Sequence, residues 1–153
     1  MKKGFTIIEL IIVLSVLVIL IGIIIPRMSG MQQQGNIVKA KSELQTLMVA
    51  MEAYYNNETG NSKVYPATHS KPCETYFVTA TPQIISSVLY DPFGSNSAEY
   101  QLFTSTPGGK YYTFVSKGPN GQIDPNWSVN DTDGSQVPGN SSGYICVTNG
   151  KGC

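Results

Sequence analysis

Gly4-Phe5-Thr6-Ile7-Ile8-Glu9-Leu10 opens the stretch that decides the fold, and from Leu10 to Ile25 no further charge interrupts it before Pro26. Phe5 to Ile25 is 21 residues, or about 31 Å as an α-helix. That length matches a hydrocarbon core of about 30 Å. Leucine, isoleucine and valine occupy the whole circumference, which one-sided packing on a soluble core does not require. A secretory signal has an apolar core of about 7–15 residues and a small-residue cleavage site. This run is longer, and Ile24-Ile25-Pro26-Arg27 is not such a site. Lys2 and Lys3 hold the N-terminus on the cytoplasmic side of a membrane, with the rest of the chain across it. Hydropathy alone does not separate an uncleaved single-pass anchor from a helix with further work to do.

Glu9 separates them. A carboxylate in an apolar helix costs about 2.5–3.5 kcal/mol at mid-membrane on insertion scales, and less near an end. A passive anchor has no use for it, and buried charge is retained where it meets a partner charge. Cleavage after Gly4 would make Phe5 a new positive amine close to Glu9, able to neutralise Glu9 of a neighbouring copy. Glycine suits such a cut, since a residue without a side chain admits a protease to extended backbone. Loss of Lys2 and Lys3 takes the basic count from 10 to 8 (10 − 2) against 10 acidic residues, so the trimmed chain is slightly acidic.

Residues 3–10, Lys-Gly-Phe-Thr-Ile-Ile-Glu-Leu, resemble the class III signal of type IV pilins and type II secretion pseudopilins. The resemblance implies that a membrane-embedded aspartyl prepilin peptidase cuts between Gly4 and Phe5 and methylates the Phe5 amine, with Glu9 as the assembly carboxylate. It implies a helical homopolymer as product, with an inner-membrane assembly platform and minor subunits as partners. The implied location is the bacterial inner membrane, single-pass, and then a periplasmic or extracellular filament. Val18 departs from the pattern, because many members carry a helix-loosening glycine there. Local unwinding would instead centre on Gly22 to Pro26.

Pro26 lacks a backbone donor, which predicts a kink. Beyond it Ile37, Ala40, Leu44, Leu47, Met48, Met51 and Tyr55 recur at spacings of three and four, an apolar stripe that seams the helix to a globular unit. Lys39, Lys41, Glu43 and Glu52 lie mostly off the stripe, and Asn56, Asn57 and Gly60 are stop signals. Gln32-Gln33-Gln34-Gly35-Asn36 reads as a membrane-surface stretch, with a break in the rod expected between Pro26 and Gly35. The expected organisation is a leader at 1–4, a membrane and assembly helix at 5–26, an amphipathic helix at 27–56 and a β-rich unit at 57–153.

In that unit Tyr65-Pro66 begins an extended segment. Thr81-Pro82 predicts a short helix over Ile84 to Leu89, with threonine as cap and proline in the first turn. Residues 100–104 and 111–115 alternate as strands around a turn at Pro107-Gly108-Gly109, and residues 143–148 are a later strand. The fold class is therefore α+β and pilin-like: a long N-terminal helix packed on a small antiparallel sheet. The order Tyr65-Pro66, Asp91-Pro92-Phe93-Gly94, Tyr111 to Val115, then Ser116-Lys117-Gly118-Pro119-Asn120-Gly121 resembles that of the major pseudopilins of type II secretion. The resemblance reaches to about Trp127.

Members of that subgroup often bind calcium after the Gly-Pro turn, and the resemblance turns attention to Asp124, Asp131 and Asp133. Asp131-Thr132-Asp133-Gly134 offers two carboxylates and a turn glycine, but the terminal bidentate glutamate of a full calcium loop is missing. A solvated turn is the alternative for the same residues. No cofactor is required by the rest of the chain. The tail beyond Trp127 departs from the pseudopilin pattern. Many type IV pilins close a C-terminal loop with a disulfide, and Cys146–Cys153 would do so here; pairing of Cys73 with either remains open.

Catalysis finds no constellation. His69 is the one histidine, the serines lack a nucleophile elbow, and Pro107 to Lys110 lacks the spacing of a phosphate loop. Zero net charge removes the electrostatic case for nucleic acid as the main partner. The functional expectation is a non-enzymatic filament subunit, the major pseudopilin of a secretion system. The alternatives are a type IV pilus subunit for adhesion, motility, DNA uptake or electron conduction, and a membrane-anchored periplasmic binding module.

Overall fold

The computed structural model describes residues 4–57, 63–137 and 143–153, with the side chains of 24–29 and 137 outside the description. Leader residues 1–3, the stop signal Gly60 and the side chain of Pro26 therefore lie outside the described residues. The chain divides into two compact units, residues 1–35 and 36–153.

One helix, α1 (Ile7–Asn57), runs through both units in its hydrogen bonding. Thr6 caps it: the Glu9 N–H donates to Thr6 Oγ1 at 3.4 Å, and the Thr6 hydroxyl approaches Glu9 Oε2 at 3.5 Å. The pattern Thr6-x-x-Glu9 is that of a capping box. In the first unit Phe5 to Ile23 are exposed throughout. Among the described residues no helix is long and apolar enough to cross a membrane.

In the second unit Ala40, Leu44, Leu47, Ala50 and Met51 of α1 are buried, at the spacing the stripe predicts. Five strands follow: β1 (Gln101–Thr104), β2 (Tyr112–Ser116), β3 (Ser128–Val129), β4 (Gln136–Val137) and β5 (Ile145–Thr148). The main sheet has the order β1-β2-β5 and is antiparallel throughout; β3 and β4 form a separate two-stranded ribbon. The register sets Leu102 opposite Phe114 and Phe114 opposite Val147. Leu102, Tyr112 and Phe114 close one core with the α1 stripe and Phe77. Burying each such side chain is worth about 1.5–3 kcal/mol. Phe103, whose side chain alternates to the other face, meets Trp127 at 5.9 Å, and Trp127 meets Tyr144 edge-on at 4.5 Å. Central β2 is thus buried along its whole length.

The expected helix over Ile84 to Leu89 is a correction. Those residues are not helical, and one π-helical turn, Cys73–Val78, precedes them instead. Ile84 and Ile85 both donate their N–H groups to the Phe77 carbonyl, and both side chains lean on the core. Ile84, Ile85 and Val88 are β-branched and Ser86 and Ser87 compete for backbone bonds, so local propensity for a helix was weak. Core attachment won.

Candidate assembly site

The residues expected to act in processing and assembly sit together at one end of α1. Gly4 and Phe5 precede the first turn, Phe5 is 81% exposed, and Glu9 occupies the third helical position. That placement puts a carboxylate beside the unsatisfied N–H groups of a helix start, where negative charge is favoured. Both Thr6–Glu9 contacts are at the long limit for hydrogen bonds, so the carboxylate is oriented by Thr6 and still open to a stronger donor. The capping-box spacing was legible in the sequence and is the structural alternative that the charge argument for Glu9 passed over.

The second unit supports this helix through a set of phenol–carboxylate bonds. Tyr100 donates to Glu43 Oε2 at 2.6 Å; Tyr112 and Tyr65 both donate to Glu52 Oε1, at 3.1 and 3.0 Å. Glu43 and Glu52 are therefore more than off-stripe solvating charges: they edge the seam and receive the hydroxyls of Tyr100, Tyr112 and Tyr65. Burial, reinforced by the neighbouring carboxylates, pushes the Tyr100 and Tyr112 phenols well above their ordinary range. Burial and then Glu52 push Tyr65 up to about 12.

Two further carboxylates hold loops. Asp91 is buried and accepts from the Ser116 hydroxyl and the Lys117 and Phe93 N–H groups at 2.8, 2.8 and 3.0 Å. It staples the Asp91-Pro92-Phe93-Gly94 loop to the end of β2. Glu99 accepts from the N–H groups of Cys73 and Glu74 at 2.8 and 3.3 Å, capping the π-helical turn. Burial is the main reason its carboxyl is pushed up. Sequence reasoning had no signal for Glu99 beyond a lone acid before a strand.

The three aspartates named for calcium each have a partner within a turn. Asp124 accepts from the Asn126 N–H, Asp133 from the Ser135 N–H, and Asp131 from the Ser105 hydroxyl at 2.7 Å. Among the described residues no group of three or more His, Cys, Asp or Glu side chains could hold a metal. Asp131 instead anchors the β1–β2 turn, where a side chain at Gly108 would collide with its carboxylate. The Ser105 bond holds the Asp131 carboxyl below the usual range, and the Ser135 bonds do the same for Asp133. The residues were spent on turn geometry, which their spacing in sequence also allows.

Cys146 and Cys153 are joined by a disulfide, with Cα atoms 5.7 Å apart. Cys73 is free and buried, in contact with the Leu89 N–H at 3.4 Å. Cys73 pairs with neither of them in this structure.

Comparison with known proteins agrees with these features. The family described as the prokaryotic N-terminal methylation motif matches residues 1–25. The type II secretion system core protein G of Dickeya chrysanthemi is 30% identical over 142 residues, covering 84% of this chain and 88% of the relative. Its counterpart in Klebsiella pneumoniae is 25% identical over 126 residues, covering 80% and 81%. That of Pectobacterium carotovorum is 27% identical over 133 residues, covering 78% of each. No solved structure matches the chain.

Proposed function

The chain belongs to the type II secretion system core protein G family, and on that premise we propose how it works as a pseudopilin, a structural subunit of a filament. The observation that carries the reading is the match to a family relative over 84% of the chain, with the methylation motif at its start. The chain is made as a precursor, cut between Gly4 and Phe5 and methylated on the Phe5 amine by a prepilin peptidase. The first helix anchors it in the inner membrane with its N-terminus cytoplasmic. Glu9 of an incoming subunit is neutralised by the Phe5 amine of its neighbour, which offsets the cost of a carboxylate in an apolar surrounding. Repeated addition, driven by an assembly platform, extends a pseudopilus whose growth moves protein cargo outward. No catalytic chemistry belongs to this role. The work of the β-rich unit is to keep one face of α1 in register with the rest of the filament surface.

Glu9→Ala tests the reading. Precursor cleavage should proceed as in the parent chain, while filament recovered by shearing falls steeply. Equal filament yield from the variant would refute the role of Glu9. A second reading, a surface pilus subunit, is supported by the disulfide-closed tail at Cys146–Cys153. Deleting the gene distinguishes the two: loss of secreted enzymes follows from the first, loss of surface motility or DNA uptake from the second.

A further inference from the structure

A polar cleft of about 480 Å³ opens in the second unit between the π-helical turn, the Asp91–Ala98 loop, the start of β1 and the end of β2. Two carboxylates fix its walls. Glu99 accepts from the Cys73 and Glu74 N–H groups at 2.8 and 3.3 Å and holds the π-helical turn to the approach of β1. Asp91 accepts from the Lys117 N–H at 2.8 Å and holds the end of β2 to the loop. The loop itself is closed by Asp91 N–H donating to the Ala98 carbonyl and Ala98 N–H to the Ser95 carbonyl, at 2.9 and 3.2 Å. Its tip, Asn96-Ser97, is left-handed, with φ +54° and +57°. Asparagine tolerates that region, but serine is strained there where glycine would not be. A loop that only reversed the chain would be better served by glycine. Serine keeps a hydroxyl on the rim of the cleft.

The polar groups of the lining fall into two sets. Glu99 is committed to backbone N–H groups, and Glu74 pairs with Lys71 at 3.4 Å. Lys117 is half-buried, and among the described residues its ammonium meets no carboxylate at ion-pair distance. Ser70, Ser95, Asn96, Ser97 and Gln101 line the same space, and among the described residues their side chains make no hydrogen bond. Tyr90 adds an aromatic ring that is 47% exposed.

We propose that this cleft binds a saccharide bearing one carboxylate. Sugar hydroxyls both donate and accept, and so do the hydroxyls and amides of serine, asparagine and glutamine. A bare anion would call for more cations instead. The exposed Tyr90 ring presents an apolar face to the C–H side of a pyranose. Lys117 supplies the cation for one carboxylate. Walls fixed before binding reduce the cost of ordering the site. The cleft lies wholly within the second unit, and the proposal goes beyond the filament reading without depending on it.

Backbone amide NMR of the full-length chain, in zwitterionic micelles free of glycoside detergent, tests this. The probe is a glucuronyl-glucose disaccharide, cellobiouronate. Cellobiose, which lacks the carboxylate, and acetate, which lacks the sugar, are the comparisons. Cellobiouronate should shift the amides of residues 95–98 and 117 in a saturable way. Cellobiose should bind the parent chain about tenfold more weakly, and cellobiouronate should bind Lys117→Gln about tenfold more weakly, the loss of one charge-assisted bond. Lys117→Gln keeps the backbone bond to Asp91, so its fold is retained. Ser97→Gly relieves the left-handed strain. It should melt no lower than the parent and yet bind cellobiouronate about threefold more weakly, the loss of one neutral hydrogen bond. Acetate binding as tightly as cellobiouronate would overturn the saccharide, and cellobiose binding as tightly would overturn the role of Lys117. No saturable shift at those residues, or full affinity in both variants, would overturn the cleft as a binding site.

Discussion

The Tyr100 hydroxyl donates to Glu43 Oε2 at 2.6 Å, across 57 residues of sequence, and ties the start of β1 to α1. The phenol is fully buried and the carboxylate keeps contact with Lys39. Tyr100→Phe should therefore lower stability by about 1.5–3 kcal/mol, the range for a hydrogen bond to a charged group. Denaturant unfolding of the folded chain measures it. A double-mutant cycle with Glu43→Gln should give a coupling of the same sign, and additive losses would show that the two side chains act independently.

Alkaline pH should unfold the second unit earlier than ordinary tyrosines would suggest. Tyr65 rises from 10.0 to about 12 on folding, through burial and Glu52, and Tyr100 and Tyr112 are raised further by the same causes. A group raised in the folded state contributes stability that is complete below its unfolded value and is lost as pH climbs through the folded one. Melting temperature should hold up to about pH 10 and then fall through pH 12. Tyr65→Phe should flatten the first part of that fall. An unchanged slope would mean that Tyr65 is not among the responsible phenols.

Calcium and chelator should leave the melting temperature alike, because Asp124, Asp131 and Asp133 answer to their own turns. Asp131→Ala should still lower it, to the same extent with and without chelator, since it unties Ser105 from the β1–β2 turn. A calcium-dependent rise in the parent chain that Asp131→Ala abolishes would contradict this.

Removing the tail disulfide as Cys146→Ser with Cys153→Ser should cost at most about 2–3 kcal/mol, given so short a loop. The loss should be local. Hydrogen exchange should rise at residues 145–153, where β5 is an outer strand, and stay unchanged along Ala40 to Met51.

Gly118 has φ +64°, and a Cβ there would collide with the Gly143 carbonyl. Gly118→Ala should destabilise the chain by about 2 kcal/mol or more, combining left-handed strain with the clash. Circular dichroism melts of the variant decide it.

Three strands and the buried stripe were legible because each is a local pattern. Residues 100–104 and 111–115 read as strands around a turn rich in glycine and proline, and Ala40, Leu44, Leu47 and Met51 repeat with the helical period. The helix expected at Ile84 to Leu89 failed for the converse reason: a short segment of mixed propensity follows whatever tertiary contact is strongest, here Phe77. The aspartates carry two readings in the sequence. A carboxylate in an Asx-rich turn reads as a ligand or as a turn anchor until its distant partner, Ser105 for Asp131, is known.

By itself the sequence determined the long helix, its uncharged apolar run from Leu10 to Ile25, the Gly4-Phe5-Glu9 signal and the α+β class, since these rest on composition and spacing along the chain. Tertiary structure alone decided that Glu43 and Glu52 receive the hydroxyls of Tyr100, Tyr112 and Tyr65, that Asp131 serves the turn through Ser105, and that Glu99 accepts from the Cys73 N–H. Each of these joins residues far apart in the chain, and which side chains meet depends on strand register and on the face of α1 that the core takes up.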